Sequence, residues 1–296
     1  MVNHRRMPQS AGRGRTACPV RWSAFLAAWL ALSLSLPAPG AQPSPGTVAR
    51  LEAAVTGAHR SERDRSRDAD RHPTETLLFF GIRPDMTVVE VWPEGGWYTR
   101  ILAPFLRDNG KLYLATGKAD ARTHDEPGGL RAQVVGNPGV YGVPVFTVLD
   151  RGSYDIAPAG SADMVVTFRN VHNWMAAGFA AEAFRAMYRA LKPGGVLGIE
   201  EHRAKPGPQD ARARSGYVTE VFVVGLAESA GFRLVAASEV NANPKDTRDH
   251  PKGVWALPPS YALGAAERAR YAAIGESDRM TLKFVKPAGP APAAGK

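Results

Sequence analysis

Three stretches of the 296-residue chain carry side chains able to do chemistry, and each one ends an apolar run. Glu90 and Trp92 lead into the turn Pro93-Glu94-Gly95-Gly96. Arg169, Asn170, His172, Asn173 and Trp174 end a second run, and Glu200, Glu201, His202 and Arg203 end a third. Imidazoles titrate near neutrality, so His172 and His202 can take or give a proton at physiological pH. A glycine turn lets backbone N–H groups approach a ligand closely. The same histidines with Glu200 or Glu201, and with Asp246, Asp249 and His250 from the loop NPKDTRDHPKG, would also suit a divalent ion and a hydrolytic reaction. Their spacings match no established zinc pattern. A fourth stretch, Arg60 to Arg71, repeats arginine at 63, 67 and 71 and predicts a helix with a charged stripe. Such a stripe is either a solvated, salt-bridged face or an arginine edge that meets an anionic group.

Bringing these stretches together needs a scaffold, and the hydrophobic pattern supplies one. Pro73 opens a helix with Leu77, Leu78, Phe79 and Phe80 on its apolar face, and Gly81 closes it. Met86–Trp92 reads as a strand buried on both faces, followed by the glycine turn and the helical spacing of WYTRILAPFL. Further strands are predicted at Lys111–Thr116, Val143–Leu149, Ala162–Phe168, Val196–Glu200, FRLVAAS after Gly231, and Met280–Val285. Helices are predicted at Phe179–Leu191 and from about Tyr217 to Ser229, with a turn at Lys192-Pro193-Gly194-Gly195. Strands alternating with helices make an α/β, Rossmann-like, doubly wound and mostly parallel sheet covered on both faces. Ligands of such sheets bind beyond the carboxyl ends of the strands, where the three stretches converge. Two long segments, Lys118–Gly142 and Asn241–Tyr261, have the length of lids.

The bulk numbers narrow the classes. A formal net charge of +9 suggests nucleic acid until the arginines are located: Arg5, Arg6, Arg13, Arg15 and Arg21 precede the apolar run Trp22–Leu36. That is the layout of a secretory signal peptide over residues 1–41, with small residues Ala38, Gly40 and Ala41 where a peptidase could cut. Setting it aside leaves 32 basic and 28 acidic residues, a net charge of +4, with the two signs interspersed and no aromatic–basic motif, so no nucleic-acid partner is expected. The expected location is exported, periplasmic or secreted. The alternative is a membrane anchor made by the uncleaved signal, and no stable membrane insertion is expected after cleavage. Cys18, the single cysteine, falls inside the leader, so disulfides and thiolate chemistry are not expected in the mature chain. Residues 42–72 then form a helical, charged segment, 73–287 the Rossmann domain and 288–296 a disordered tail.

The motifs VVEVWPEGGWYTRIL, ADMVVTFRNVHNWM, LKPGGVLGIEEHRA and AESAGFRLV together resemble the class I S-adenosylmethionine-dependent methyltransferases, most closely a branch of predicted bacterial methyltransferases, over roughly Pro73 to Pro287. The resemblance implies a seven-stranded sheet with its last strand antiparallel. It also implies S-adenosylmethionine as cofactor, held by Glu90, Pro93, Gly95, Gly96, Trp97 and Asn170, and a small-molecule methyl acceptor as partner. In-line methyl transfer asks for positioning and for a base to take the acceptor's proton, and His172, then His202, are the catalytic candidates. No metal is assigned in this reading. Two departures stand out: Trp92 and Glu94 occupy the first two glycine places of the family's G-x-G-x-G, and the second strand ends Ala115-Thr116-Gly117 without the acid that binds ribose, Asp120 coming several residues later. The alternatives are an exported binding protein that keeps the fold without turnover, and the metal-dependent hydrolase.

Overall fold

The computed structural model describes Met1, residues 43–118, Glu126 and residues 128–289. The chain divides into units Met1–Ala41 and Gln42–Lys296, and the fold belongs to the second. Beyond Met1 the predicted leader lies outside the described residues, as do Asp120 and all but the start of the predicted tail. Among the described residues, no helix is long and apolar enough to cross a membrane.

Seven strands form one sheet in the order β3-β2-β1-β4-β5-β7-β6. In chain order they are β1 (Thr87–Val91), β2 (Lys111–Thr116), β3 (Val145–Val148), β4 (Ala162–Phe168), β5 (Leu191–His202), β6 (Arg233–Ser238) and β7 (Arg279–Val285). The β1–β2, β1–β4, β2–β3 and β4–β5 pairs are parallel, and β7 lies antiparallel to both β5 and β6. Side chains along each strand alternate between two cores. Val89, Val91 and Val165 enter one with Phe184 and Met187 of helix Ala180–Ala190 and Val223 of helix Glu220–Ser229. Val88, Met164 and Val166 enter the other with Leu51 of helix Pro45–Thr56, Phe80 of helix Pro73–Phe80 and Ile101 and Phe105 of helix Thr99–Leu106. Each face of the sheet is therefore sealed by helices, which is why the central strands read as continuous apolar runs.

Two expectations are corrected. The stripe from Arg60 to Arg71 is not one helix: single turns at Glu62–Arg65 and Asp68–Arg71 are separated at Ser66-Arg67. Ser61 caps the first turn by accepting from the Asp64 N–H, and Arg60 is drawn inward to a bidentate pair with Asp68, so the straight stripe is lost. The Lys192-Gly195 turn is likewise absorbed into β5, where it appears as a shift in register with β4 between Ala162 and Met164, held by hydrogen bonds between Gly194, Gly195 and Lys286. Loop 241–261 is folded down: it contains a short 3-10 helix, Gly253–Ala256, whose Ala256 packs with Leu257 and Tyr271.

Candidate functional site

β1 delivers the chain to a turn with unusual backbone. Residues 92, 94 and 96 all have positive φ, at 51°, 49° and 76°. These are the three glycine places of the motif, so the loop keeps a glycine-type path although two of its residues are Trp92 and Glu94. Left-handed backbone costs a side-chain-bearing residue roughly 1–2 kcal/mol, and such strain persists where the surroundings enforce it. Enforcement is visible at Trp92, whose indole N–H donates to the Leu149 carbonyl at 2.9 Å and whose ring meets Trp174 edge-on at 6.0 Å. Gly95 faces open space, whereas a Cβ on Gly96 would stand 2.3 Å from Leu130. Pro93, Glu94, Gly95 and Trp97 line a cavity of about 770 Å³ together with arginines from the 60–71 segment. The Trp97 ring has the guanidiniums of Arg60 and Arg71 over it, at 4.9 and 4.7 Å.

Glu90 sits just before this turn, 2% exposed, accepting a 2.7 Å hydrogen bond from the Thr99 hydroxyl. Burial pushes its carboxyl up to about 7. An acid whose pKa is higher in the folded state holds its proton better there, so its contribution to stability falls as pH rises from about 4.5 to about 7. Glu90→Gln keeps the acceptor for Thr99 and removes the charge. It is expected to raise stability at pH 8 by up to about 3 kcal/mol and to leave it nearly unchanged at pH 4, as urea unfolding at the two pH values will read.

At the end of β4, Asn170 donates through Nδ2 to the Val91 and Trp92 carbonyls (3.0 and 3.1 Å) and to the Thr167 hydroxyl, tying β4 to the β1 turn. Its Oδ1 is buried without a hydrogen-bond partner among the described residues. His172, in helix Val171–Ala177, places Nδ1 3.0 Å from Glu201 Oε1. Glu201 is fully buried and also accepts from the N–H groups of Val171, His172 and His202. A carboxylate serving that many donors can only accept, so His172 Nδ1 carries the proton and Nε2 is the basic nitrogen. His202 lies 5.2 Å from His172 between ring centres and puts Nδ1 2.5 Å from the Ser277 hydroxyl. Burial, then the neighbouring His172 and the Arg169 guanidinium, hold His202 well below the ordinary histidine range, so it is neutral at pH 7.

Between turn and histidines stands a wall of arginines. Arg67 and Arg71 both reach Glu276, at 2.6 and 3.0 Å. Arg169, itself at φ 60°, reaches Glu200 at 3.2 Å, and Arg279 bridges Glu200 and Glu276 at 2.8 and 3.1 Å. Glu200 and Glu276 are both buried. Burial alone would raise the Glu276 pKa, but Arg71, Arg279 and Arg67 override it and hold the carboxyl at about 2. Arg67, Arg71, Glu94 and Arg169 line the 770 Å³ cavity and also a second one of about 280 Å³, whose walls include His172, His202 and Trp255.

His172, Glu201 and His202 place one ligand-type atom each within 4.8 Å of the others. The carboxylate of that trio is already taken up by N–H donors, which makes it an orienting group. The remaining candidates for a metal lie apart: Asp246 accepts from the Tyr217 hydroxyl and pairs with His250 at 2.8 Å, and Asp249 is an exposed partner of Lys205. Glu276, Ser277 and Arg279 escaped notice in the sequence. The only signal available was the polar run Glu276-Ser277-Asp278-Arg279 placed directly before an apolar strand, and all four residues are buried.

Compared with known proteins, the chain matches no family model and no curated protein sequence. Solved structures do match it in shape. The [4+2]-cyclase SpnF superposes with a TM-score of 0.52 at 18% identity, over 82% of this chain and 93% of that one. A candidate sarcosine dimethylglycine methyltransferase from Galdieria sulphuraria superposes with a TM-score of 0.51 at 13% identity, over 82% and 98%. The chain has a methyltransferase-type fold. At these identities the likeness is one of fold, and a methyltransferase-type fold fixes where a site lies without fixing what reacts there.

Proposed function

We propose that the chain is an S-adenosylmethionine-dependent methyltransferase acting on a small molecule. The observation that carries this reading is the backbone of the 92–96 turn, left-handed at all three glycine places beside a buried acid and an open cavity. The residues present suit the methionine end of the cofactor: Gly95 leaves room for close approach, and the unpartnered Asn170 Oδ1 beside the turn is an acceptor suited to an ammonium group. Glu90 supplies the buried acid behind them. The nucleoside end is less marked, since Thr116 ends β2 with its hydroxyl on the Thr147 carbonyl.

Bound S-adenosylmethionine supplies an activated methyl group to an in-line nucleophile. Glu201 holds His172 in the tautomer that exposes Nε2 to the smaller cavity, where it takes the acceptor's proton. His202, neutral and fixed by Ser277, accepts or donates a hydrogen bond without adding charge. Calorimetric titration of the full chain with S-adenosylmethionine and S-adenosylhomocysteine tests the reading, with Gly95→Arg filling the open side of the turn. Micromolar binding that disappears in Gly95→Arg is expected. Absence of binding at millimolar cofactor overturns it and favours the non-catalytic reading, to which the indole of Trp92 at the first glycine place already lends weight.

A further inference from the structure

The wall shared by the two cavities is built mainly of guanidinium groups. Among the described residues, Arg67, Arg71 and Arg169 line both cavities against one acid, Glu94, that lines both, and Arg67 and Arg71 share a single buried carboxylate, Glu276. Two other arginines nearby have their own carboxylates, Arg60 with Asp68 and Arg100 with Asp64. Guanidiniums that line a cavity repel a divalent cation and attract an anion.

We propose that Arg67, Arg71 and Arg169 form a binding site for the oxyanion of an acidic small molecule, a carboxylate or a phosphate, and that this molecule is the methyl acceptor. The second half of that statement rests on the methyltransferase reading; the first stands on the wall alone. Guanidinium forks match the planar, two-oxygen geometry of such groups, and their hydrogen bonds to them are charge-assisted. Arg67 spends Nε and Nη2 on a single oxygen of Glu276, and Glu276 retains Arg71 and Arg279 without it. The location also fits a substrate. An oxyanion on this wall stands in the same 280 Å³ cavity as His172 and next to the cavity beside Gly95, so the rest of the molecule is led between base and cofactor turn. Burial, then the crowding Arg169 guanidinium, pull Arg71 down to about 9, so it stays protonated at neutral pH.

The test is calorimetry on the full chain with inorganic phosphate and, separately, acetate, in the absence and presence of saturating S-adenosylhomocysteine. The expected result is saturable binding of at least one anion, weakened tenfold or more in Arg67→Gln and undiminished by S-adenosylhomocysteine. The tighter of the two anions identifies the acceptor's acidic group. Arg169→Lys, which keeps the charge and loses the fork, is expected to weaken binding as well and serves if Arg67→Gln does not fold. No binding of either anion at tens of millimolar, or binding indifferent to both variants, overturns the site. Competition with S-adenosylhomocysteine would give the arginines to the cofactor's own carboxylate and overturn the acceptor assignment. Anion binding by a chain that ignores S-adenosylhomocysteine would retain the site and reject the methyltransferase reading instead.

Discussion

Replacing His172 by alanine is expected to leave S-adenosylmethionine affinity intact and to lower turnover by about 10²-fold or more. The side chain is held from behind by Glu201 and from beside by His202 and Trp255, whose rings lie 5.2 and 6.0 Å away, so its removal leaves the β1 turn untouched. Its cost falls on proton transfer alone. His202→Ala makes the informative comparison: a residue that burial and neighbouring cations keep unprotonated is a weak base, and a smaller loss is expected. Formation of S-adenosylhomocysteine from S-adenosylmethionine in the presence of an acidic acceptor measures turnover, and equilibrium dialysis measures affinity. Unchanged turnover in His172→Ala would remove that residue from the chemistry.

Glu276→Gln is expected to cost the fold about 3–5 kcal/mol at pH 7, because it strips the carboxylate from between Arg67, Arg71 and Arg279 and leaves three guanidiniums facing one another. The pH dependence follows from the depressed carboxyl. With a folded value of about 2 against 4.5 unfolded, the stabilisation is fully present above pH 4.5 and is lost as pH falls toward 2. The gap between native chain and variant therefore narrows across that window, and denaturant midpoints measured at pH 7, 4 and 3 will show it. A gap that stays constant would mean that the carboxylate charge is not what holds the wall.

Most of the sheet was legible because its central strands are buried on both faces. Lys111–Thr116 and Ala162–Phe168 were predicted with the observed ends, and the helix from Pro73 stops at Gly81, which has the left-handed φ of 86° that glycine permits. The turn and the two histidines were legible as strand ends for the same reason: a doubly wound sheet puts ligand-facing residues there. What periodicity hid was everything set by contacts between distant segments. The 60–71 repeat fits a helix by spacing, yet Arg60 turns to Asp68 and Arg67 and Arg71 to Glu276, and no local pattern encodes a partner some 200 residues away. Glu201 looked like one more strand-end acid among several. Its role as the group that fixes the imidazole depends on helix Val171–Ala177 pointing two N–H groups at it, which is tertiary geometry.

The arginine wall joins residues 67 and 276, which are 209 positions apart in the chain. Closing so large a loop carries an entropic penalty that only the assembled sheet can offset, so the wall belongs to the late, high-contact-order part of folding. A chain still emerging from the ribosome, or still unfolded, has no anion site. Recognition of an acidic ligand is thereby restricted to molecules whose two ends have already met, and occupancy of the wall should act as a clasp that slows global unfolding rather than as a local stiffener of one loop.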